Sequence, residues 1–376
     1  YIFESRDQHR PALKVVYKFL HDRVQQAAYT LLTEEEKEAS HLQIGQLMIA
    51  SMDENELGEH LTTVVNHMNL GMPLIINPEE KINLAQMNFK VGLKAKGSTA
   101  YISAIENFKI GIQLLPENPW DVEYSLAFSL FREQAESQYL SGHKEEAEKL
   151  IETALQHASS VMEEAELYDL RSYNGVMTGQ FRKSIEMGIK GLSLLQVELP
   201  DPTEENLQKE ADAIKINMRG RQILDLADQP FATDPGKRLA LQILTRIWPS
   251  SYMCADIPLL ILSTLRMTNI ALKFGDIEGY CYSLYAFYLA GLQEYQDAYD
   301  FGQVSLKMAP DRGVLNHVFG NFVGAWCMPL KDSLPYSQKA YKNCIAEGDI
   351  ADAQYASFML TLNTYFKGTP RKKLKK

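Results

Sequence analysis

Small residues recur in this chain where two helices would have to touch. Gly92, Ala104 and Gly111 are small, Phe108 between the last two is large, and Pro116 follows where a helix would end. The same order returns further on: Ala135, Ala147 and Ala154 are small, Gly142 stands in the intervening turn, and Phe131 and Ile151 are the large residues. A third stretch carries Tyr168, Gly179, Phe181, Ser184, Gly188 and Gly191, and a later one Tyr282, Ala286, Tyr295, Ala298 and Pro310. Helices approach closely only where the facing side chains are small, and the larger residues then fill the neighbouring groove. One helical hairpin cannot bury its apolar face alone, so hairpins stack. These positions constrain the chain to an all-α array of helix pairs.

The order of small and large positions is that of the tetratricopeptide repeat. The spacing is irregular, since Ala104 to Ala147 is 43 residues and Ala147 to Ser184 is 37. The expected fold is therefore a degenerate tetratricopeptide-like α-superhelix over residues 53–368. Pro-rich interruptions fall at Leu199-Pro200-Asp201-Pro202-Thr203 and from Asp228 to Pro235. Phe89, Phe108, Phe131, Tyr168 and Tyr282 sit at packing positions, and core and groove aromatics share one period.

Residues 1–52 read differently. Val16 to Leu20 is short, apolar and β-prone, and helix periodicity begins directly after His21, with Asp22 as N-cap. Thr33 and Glu36 make a capping box for a second helix with Ile44, Leu47, Met48 and Ser51 on one side. Strand, helix, helix fits the C-terminal part of a winged-helix unit. A third helix follows with Leu57, Leu61, Val64, Val65 and Met68 on one face, ending at Gly71 as its C′ glycine. His60 and His67, seven apart with no Cys or carboxylate at ligand spacing between them, read as packing or surface residues.

The string from Phe19 through His21-Asp22-Arg23-Val24-Gln25-Gln26-Ala27-Ala28 to Tyr29 resembles the end of the nucleotide-binding region in signalling ATPases of the STAND class. The similarity is greatest to the multidomain kind that joins a serine/threonine kinase, an AAA-type ATPase, helical repeats, GAF and a sensor histidine kinase. Weaker matches follow in order at His41 to Leu47, Leu224 to Pro235, Gly275 to Tyr280, Tyr299 to Leu306 and Glu347 to Tyr355. The resemblance implies a regulatory module between a nucleotide-switched ATPase and a histidine kinase output. It also likens Leu20-His21-Asp22 to a motif whose histidine faces the β-phosphate of ADP, so His21 would be a diphosphate sensor in the longer protein. On the residues alone, His21 reads as a satisfied histidine at a strand–helix corner.

The chain begins with Tyr1, has no secretory signal, and contains no G-x-x-x-x-G-K-[ST]. A fragment without its own nucleotide is expected, with ATP or ADP and Mg²⁺ belonging to the parent. A hydrophobic content of 45% argues for a folded core, and a net charge of −10 argues against a nucleic-acid-binding face. The basic run over residues 369–376 reads as a tail or linker. Ile257 to Leu265 is interrupted by Pro258 and followed by Arg266, so no membrane span is expected. Four scattered cysteines, Cys254, Cys281, Cys327 and Cys344, suit a reduced, cytoplasmic protein.

No catalytic or metal-binding residue is expected here. His21-Asp22-Arg23 is not the kinase H-R-D, D-F-G and G-x-S-x-G are missing, and acidic runs such as Glu34 to Glu38 and Glu145 to Glu148 read as solvated helix faces. Asp311-Arg312-Gly313 and Gly320-Asn321 read as loops without chemistry. The expected partners are neighbouring domains of the same chain or another protein, with no nucleic acid and no membrane. Two further readings remain: the inducer-binding superhelix of a STAND-type transcriptional activator, and a free-standing scaffold.

Overall fold

A computed structural model describes residues 2–5, 16–19 and 22–368. His21 and residues 369–376 lie outside the described residues. Two short strands, β1 (Ile2–Ser5) and β2 (Val16–Phe19), pair antiparallel with Ile2 opposite Phe19. The remaining elements are helical, and the chain divides into two compact units, residues 1–157 and 158–376.

The first unit contains α1 (Asp22–Thr30), α2 (Glu34–Ser51), α3 (Glu54–Leu70), α4 (Pro78–Gly97), α5 (Tyr101–Gln113), the single turn α6 (Pro119–Val122), α7 (Tyr124–Leu140) and α8 (Lys144–His157). From α2 onward each long helix packs on the next. The helix starts are local chemistry. Thr33 accepts from the Glu36 N–H while Glu36 accepts from the Thr33 N–H, and Asp53 with Glu56 repeats the reciprocal pair.

Two expectations about α2 and α3 need correction. Leu47 and Ile44 face water, 60% and 41% exposed, while Leu42, Gly45 and Met48 face the core. Gly45 selects that face, because a Cβ there would lie 2.6 Å from the Met68 sulfur. Gly71 caps α3 at φ −93°, outside the left-handed region expected of a C′ glycine. Its need is steric: a Cβ would lie 2.6 Å from the Leu42 Cβ.

Further along, Gly92 of α4 lies against the Phe108 ring of α5, where a Cβ would come within 2.4 Å. Ala104 and Phe108 are fully buried beneath it, and Gly111 meets Leu130 of α7. Pro116 stands just past the end of α5. Ala147, Ile151 and Ala154 form the buried stripe of α8. A reciprocal amide pair, Asn69 with Asn88, joins α3 to α4 at 2.9 and 2.8 Å.

The second unit contains α9 (Val161–Met177), α10 (Phe181–Leu194), α11 (Glu204–Met218), a 3₁₀ segment (Ile223–Asp228), α12 (Pro235–Met253), α13 (Ile257–Phe274), α14 (Tyr280–Gly291), α15 (Tyr295–Met308), α16 (Gly313–Val318), a π-turn (Phe319–Val323), α17 (Gly324–Cys327), α18 (Leu330–Glu347) and α19 (Ile350–Phe366). Gly188 and Gly191 of α10 admit Ile247 and Ile243 of α12. Ala286 and Ala298 are fully buried in the core that α12 to α15 share. Gly320-Asn321, read as a loop, lies inside the π-turn.

α13 is long and apolar enough to cross a membrane by length and composition, despite Pro258 and Arg266. Pro258 sits in its first turn, where a missing N–H costs nothing, and 67% of the segment is buried within the protein.

Candidate functional site

Four of the five segments that carried the weaker sequence matches, those from Leu224 onward, meet in the second unit. Gln229 is the first junction. Its Nε2 donates to the Ala271 carbonyl at the end of α13, and its Oε1 accepts from the Tyr282 hydroxyl at 3.0 Å and from Arg221 at 3.3 Å. Arg221 in turn donates to the Leu272 and Asn217 carbonyls. Beside this, the Ala232 N–H donates to the Asp276 carbonyl at 3.0 Å. Gly275 sits at φ +99° with its Cβ direction 2.4 Å from the Pro230 carbonyl oxygen, so both conformation and space demand glycine.

Asp276 is fully buried, and its carboxylate accepts the Cys281 and Tyr282 N–H groups at 3.1 Å, anchoring the start of α14. Burial pushes its pKa up, against the pull of those two backbone donors. Gly279, at φ +81°, lies 2.7 Å in its Cβ direction from the Ser305 carbonyl of α15. Arg312 then bridges Glu278 at 3.3 Å and Glu347 at 3.6 Å, while Glu347 also accepts the Gly313 N–H at 2.8 Å. Asp311-Arg312-Gly313, which read as a plain loop, is thus where the segments near 278 and 347 are tied together.

This framework borders a cleft of about 540 Å³ between the 3₁₀ segment, α15, α16 and α18. Leu224, Ala227, Val304, Leu306 and Pro310 give it apolar wall; Gln303, Lys307, Asn316, Tyr336 and Lys339 give it polar groups. Asn316 is occupied locally, donating to the Pro310 and Arg312 carbonyls at 2.9 and 2.8 Å. Lys307 pairs with Asp228 at 3.0 Å and Lys339 with Asp311 at 3.1 Å. The Gln303 Nε2 is buried and has no acceptor. Apolar wall with a few convergent polar groups is the make-up of a ligand site.

Burial shifts several titratable groups nearby. Burial pushes the Cys344 thiol up to about 12, and the Cys281 and Cys327 thiols also upward, away from the nucleophilic thiolate. Burial lowers His317 to about 4, and its Nδ1 lies 2.9 Å from the Asn321 amide nitrogen. Asp352 is raised to about 7 by burial and by the neighbouring Asp349. In the first unit, His41 and His67 come together; His60 is exposed. Among the described residues no three His, Cys, Asp or Glu side chains cluster as a metal would need.

No family model matches this chain. It is 24% identical over 408 aligned residues to hybrid signal transduction histidine kinase G of Dictyostelium discoideum, a match that covers 94% of this chain and 12% of that protein. The TPR2AB-domain:pHSP90-complex of yeast Sti1 is 14% identical, covering 75% of this chain and 99% of that one at a TM-score of 0.28, too low to establish a common overall fold. The chain is thus similar to a small part of a much longer signalling kinase and is built from stacked helix pairs.

Proposed function

We propose that this chain is a tetratricopeptide-like regulatory module of a multidomain signalling kinase. It relays between a STAND-type ATPase on its N-terminal side and a histidine kinase output on its C-terminal side. The observation that carries this reading is the span of the similarity: almost all of this chain, but 12% of a hybrid histidine kinase. Residues 1–52 would be the end of the ATPase's winged helix, residues 53–368 the repeats, and residues 369–376 a linker. ATP or ADP with Mg²⁺ would bind in the ATPase, and the module's partners would be its neighbouring domains, in a cytoplasmic protein. The junctions at Gln229 and Arg312 support a relay role, because they couple segments far apart in sequence through a few polar contacts.

The parent gene provides the first test. A phosphate-binding loop upstream with GAF and histidine kinase signatures downstream is the expected arrangement. A helix-turn-helix downstream would favour the transcriptional activator, and neither would favour a free-standing scaffold. The second test is Arg312→Ala in the full-length kinase, read as histidine autophosphorylation with ADP and with ATP. The variant is expected to narrow the difference between the two nucleotide states. An unchanged difference in a folded variant would exclude a relay through this junction.

A further inference from the structure

The cleft bordered by α15 and α18 is asymmetric in charge. Its walls contain two ammonium groups, Lys307 and Lys339, and no carboxylate, in a chain of net charge −10. The carboxylates that pair with them, Asp228 and Asp311, stand outside the lining with side chains 77% and 89% exposed. Ion pairs so open to water hold weakly, so an anion entering the cleft can replace either partner. Gln303 lines the cleft, and its Nε2 is a buried donor with no acceptor. Buried donors without partners are uncommon, and one on a cavity wall points to an acceptor supplied by a ligand. Leu224, Val304 and Leu306 provide apolar wall beside these groups. A volume of about 540 Å³ suits a small molecule.

We propose that the cleft binds a small organic anion. A carboxylate or phosphate head is held by Lys307, Lys339 and the Gln303 amide, and an apolar body of a few carbons lies on Leu224, Val304 and Leu306. This deepens the reading of the chain as a regulatory module by giving it a chemical input. Binding by this chain alone is measured without ATPase or kinase, so failure here leaves the relay reading intact, and failure of the relay leaves the site intact.

The test is calorimetric titration of the 376-residue chain with hexanoate, hexyl phosphate and the uncharged hexanol. One anion is expected to bind at least about tenfold more tightly than hexanol, because the head meets charge-assisted donors. The tighter of the two anions identifies the head group. Lys307→Gln and Lys339→Gln, both at exposed positions, are each expected to weaken that binding roughly fivefold, and the double variant to abolish the preference over hexanol. Gln303→Leu is expected to weaken it while sparing hexanol. Neither anion exceeding hexanol, or a folded double lysine variant binding as the parent does, would overturn the proposal. So would tighter binding of the acidic peptide acetyl-Leu-Glu-Glu-amide than of either anion, which would make the cleft a peptide-docking groove.

Discussion

His41 of α2 and His67 of α3 face each other nitrogen to nitrogen, Nδ1 to Nδ1, at 2.8 Å. Only one proton fits between them, so one ring must accept. The His41 Nε2 lies 3.0 Å from the Tyr29 hydroxyl, which extends the chain to α1. With both rings neutral, the contacts are satisfied either by Tyr29 donating to His41 and His41 to His67, or by His67 donating to His41 and His41 to the Tyr29 oxygen. One added proton leaves a donor and an acceptor between the two rings, whereas a second would set donor against donor and break the contact.

The consequence is a local pH dependence. Burial, and then the neighbouring His41, lower the pKa of His67. A histidine lowered in the fold favours the unfolded state once the unfolded chain starts to bind the proton, so the contact is whole above about pH 6.5 and weakens as pH falls below it. Hydrogen exchange of α2 and α3 amides at pH 7.5 and 5 should show faster opening at the lower pH. In His67→Leu that acceleration should largely vanish. Equal acceleration in both proteins would remove the histidine pair as the cause.

Gly92→Ala should destabilise by about 1–3 kcal/mol, because its Cβ would lie 2.4 Å from the Phe108 ring in a fully buried contact. Ala104→Leu, on the same buried surface, should cost a similar ~1–3 kcal/mol. Gly58 is the control: it lies in α3 with nothing within 4 Å of its Cβ direction. There Gly→Ala should stabilise by about 0.5–1 kcal/mol through helix propensity alone. Urea titrations of the three variants measure the signs, and a stable Gly92→Ala would mean that α4 and α5 are not held at this distance.

What was legible in the sequence depended on how local each signal is. The Thr33–Glu36 capping box needs only residues three apart, and it forms as read. The inward side of α2 is not the one its apolar residues Ile44 and Leu47 mark, because it is set by the fit of Gly45 against Met68 of the next helix. The histidine pair joins residues 26 apart, and neither helix alone signals it. The cleft draws walls from residues between 224 and 339, a grouping no periodicity announces. The ordered matches at 224–235, 275–280, 299–306 and 347–355 were nevertheless a usable signal. Their order along the chain is visible in the sequence, and their convergence in space is not.

Gln229 tests that convergence energetically. Gln229→Ala removes the bonds to Ala271, Tyr282 and Arg221 and leaves buried polar groups behind, so a cost of about 1–3 kcal/mol is expected. Tyr282→Phe removes one of those bonds and should cost no more than about 1.5 kcal/mol. Thermal melts of the two variants rank them, and the reverse order would show that Gln229 is not the hub.

His21, outside the described residues, is testable in the full-length protein. If it donates to the β-phosphate of ADP, that contact favours the resting state. A hydrogen bond to a charged group contributes about 1.5–3 kcal/mol, which corresponds to roughly a 10- to 150-fold shift in a two-state equilibrium. His21→Ala should raise basal kinase output and speed ADP release. An unaltered ADP off-rate would make His21 an ordinary corner histidine.

His317 and Asp352 should pull the stability of the second unit in opposite directions between about pH 4 and 7. Asn321 fixes the state of His317. The Asn321 Oδ1 accepts from Ser337 at 2.7 Å and from Asn363 at 3.1 Å, so its amide nitrogen must face the His317 Nδ1 at 2.9 Å and donate to it. Protonating that Nδ1 sets donor against donor, in a residue only 5% exposed. The fall from 6.5 to about 4 corresponds to roughly 3 kcal/mol, present above pH 6.5 and lost as pH drops toward 4. Asp352 has the other sign. Its pKa is raised, by burial first and by Asp349 next, to about 7, so the fold prefers the neutral acid and loses stability as pH rises from the ordinary carboxyl range through 7. Asp352→Asn keeps the neutral shape without the titration. Compared with the parent in urea titrations, it should be more stable at pH 8 and equal at pH 4, and the remaining rise in stability with pH should then belong largely to His317 and His67. An Asp352→Asn variant that gains nothing at pH 8 would mean that the carboxylate is already charged and accommodated there.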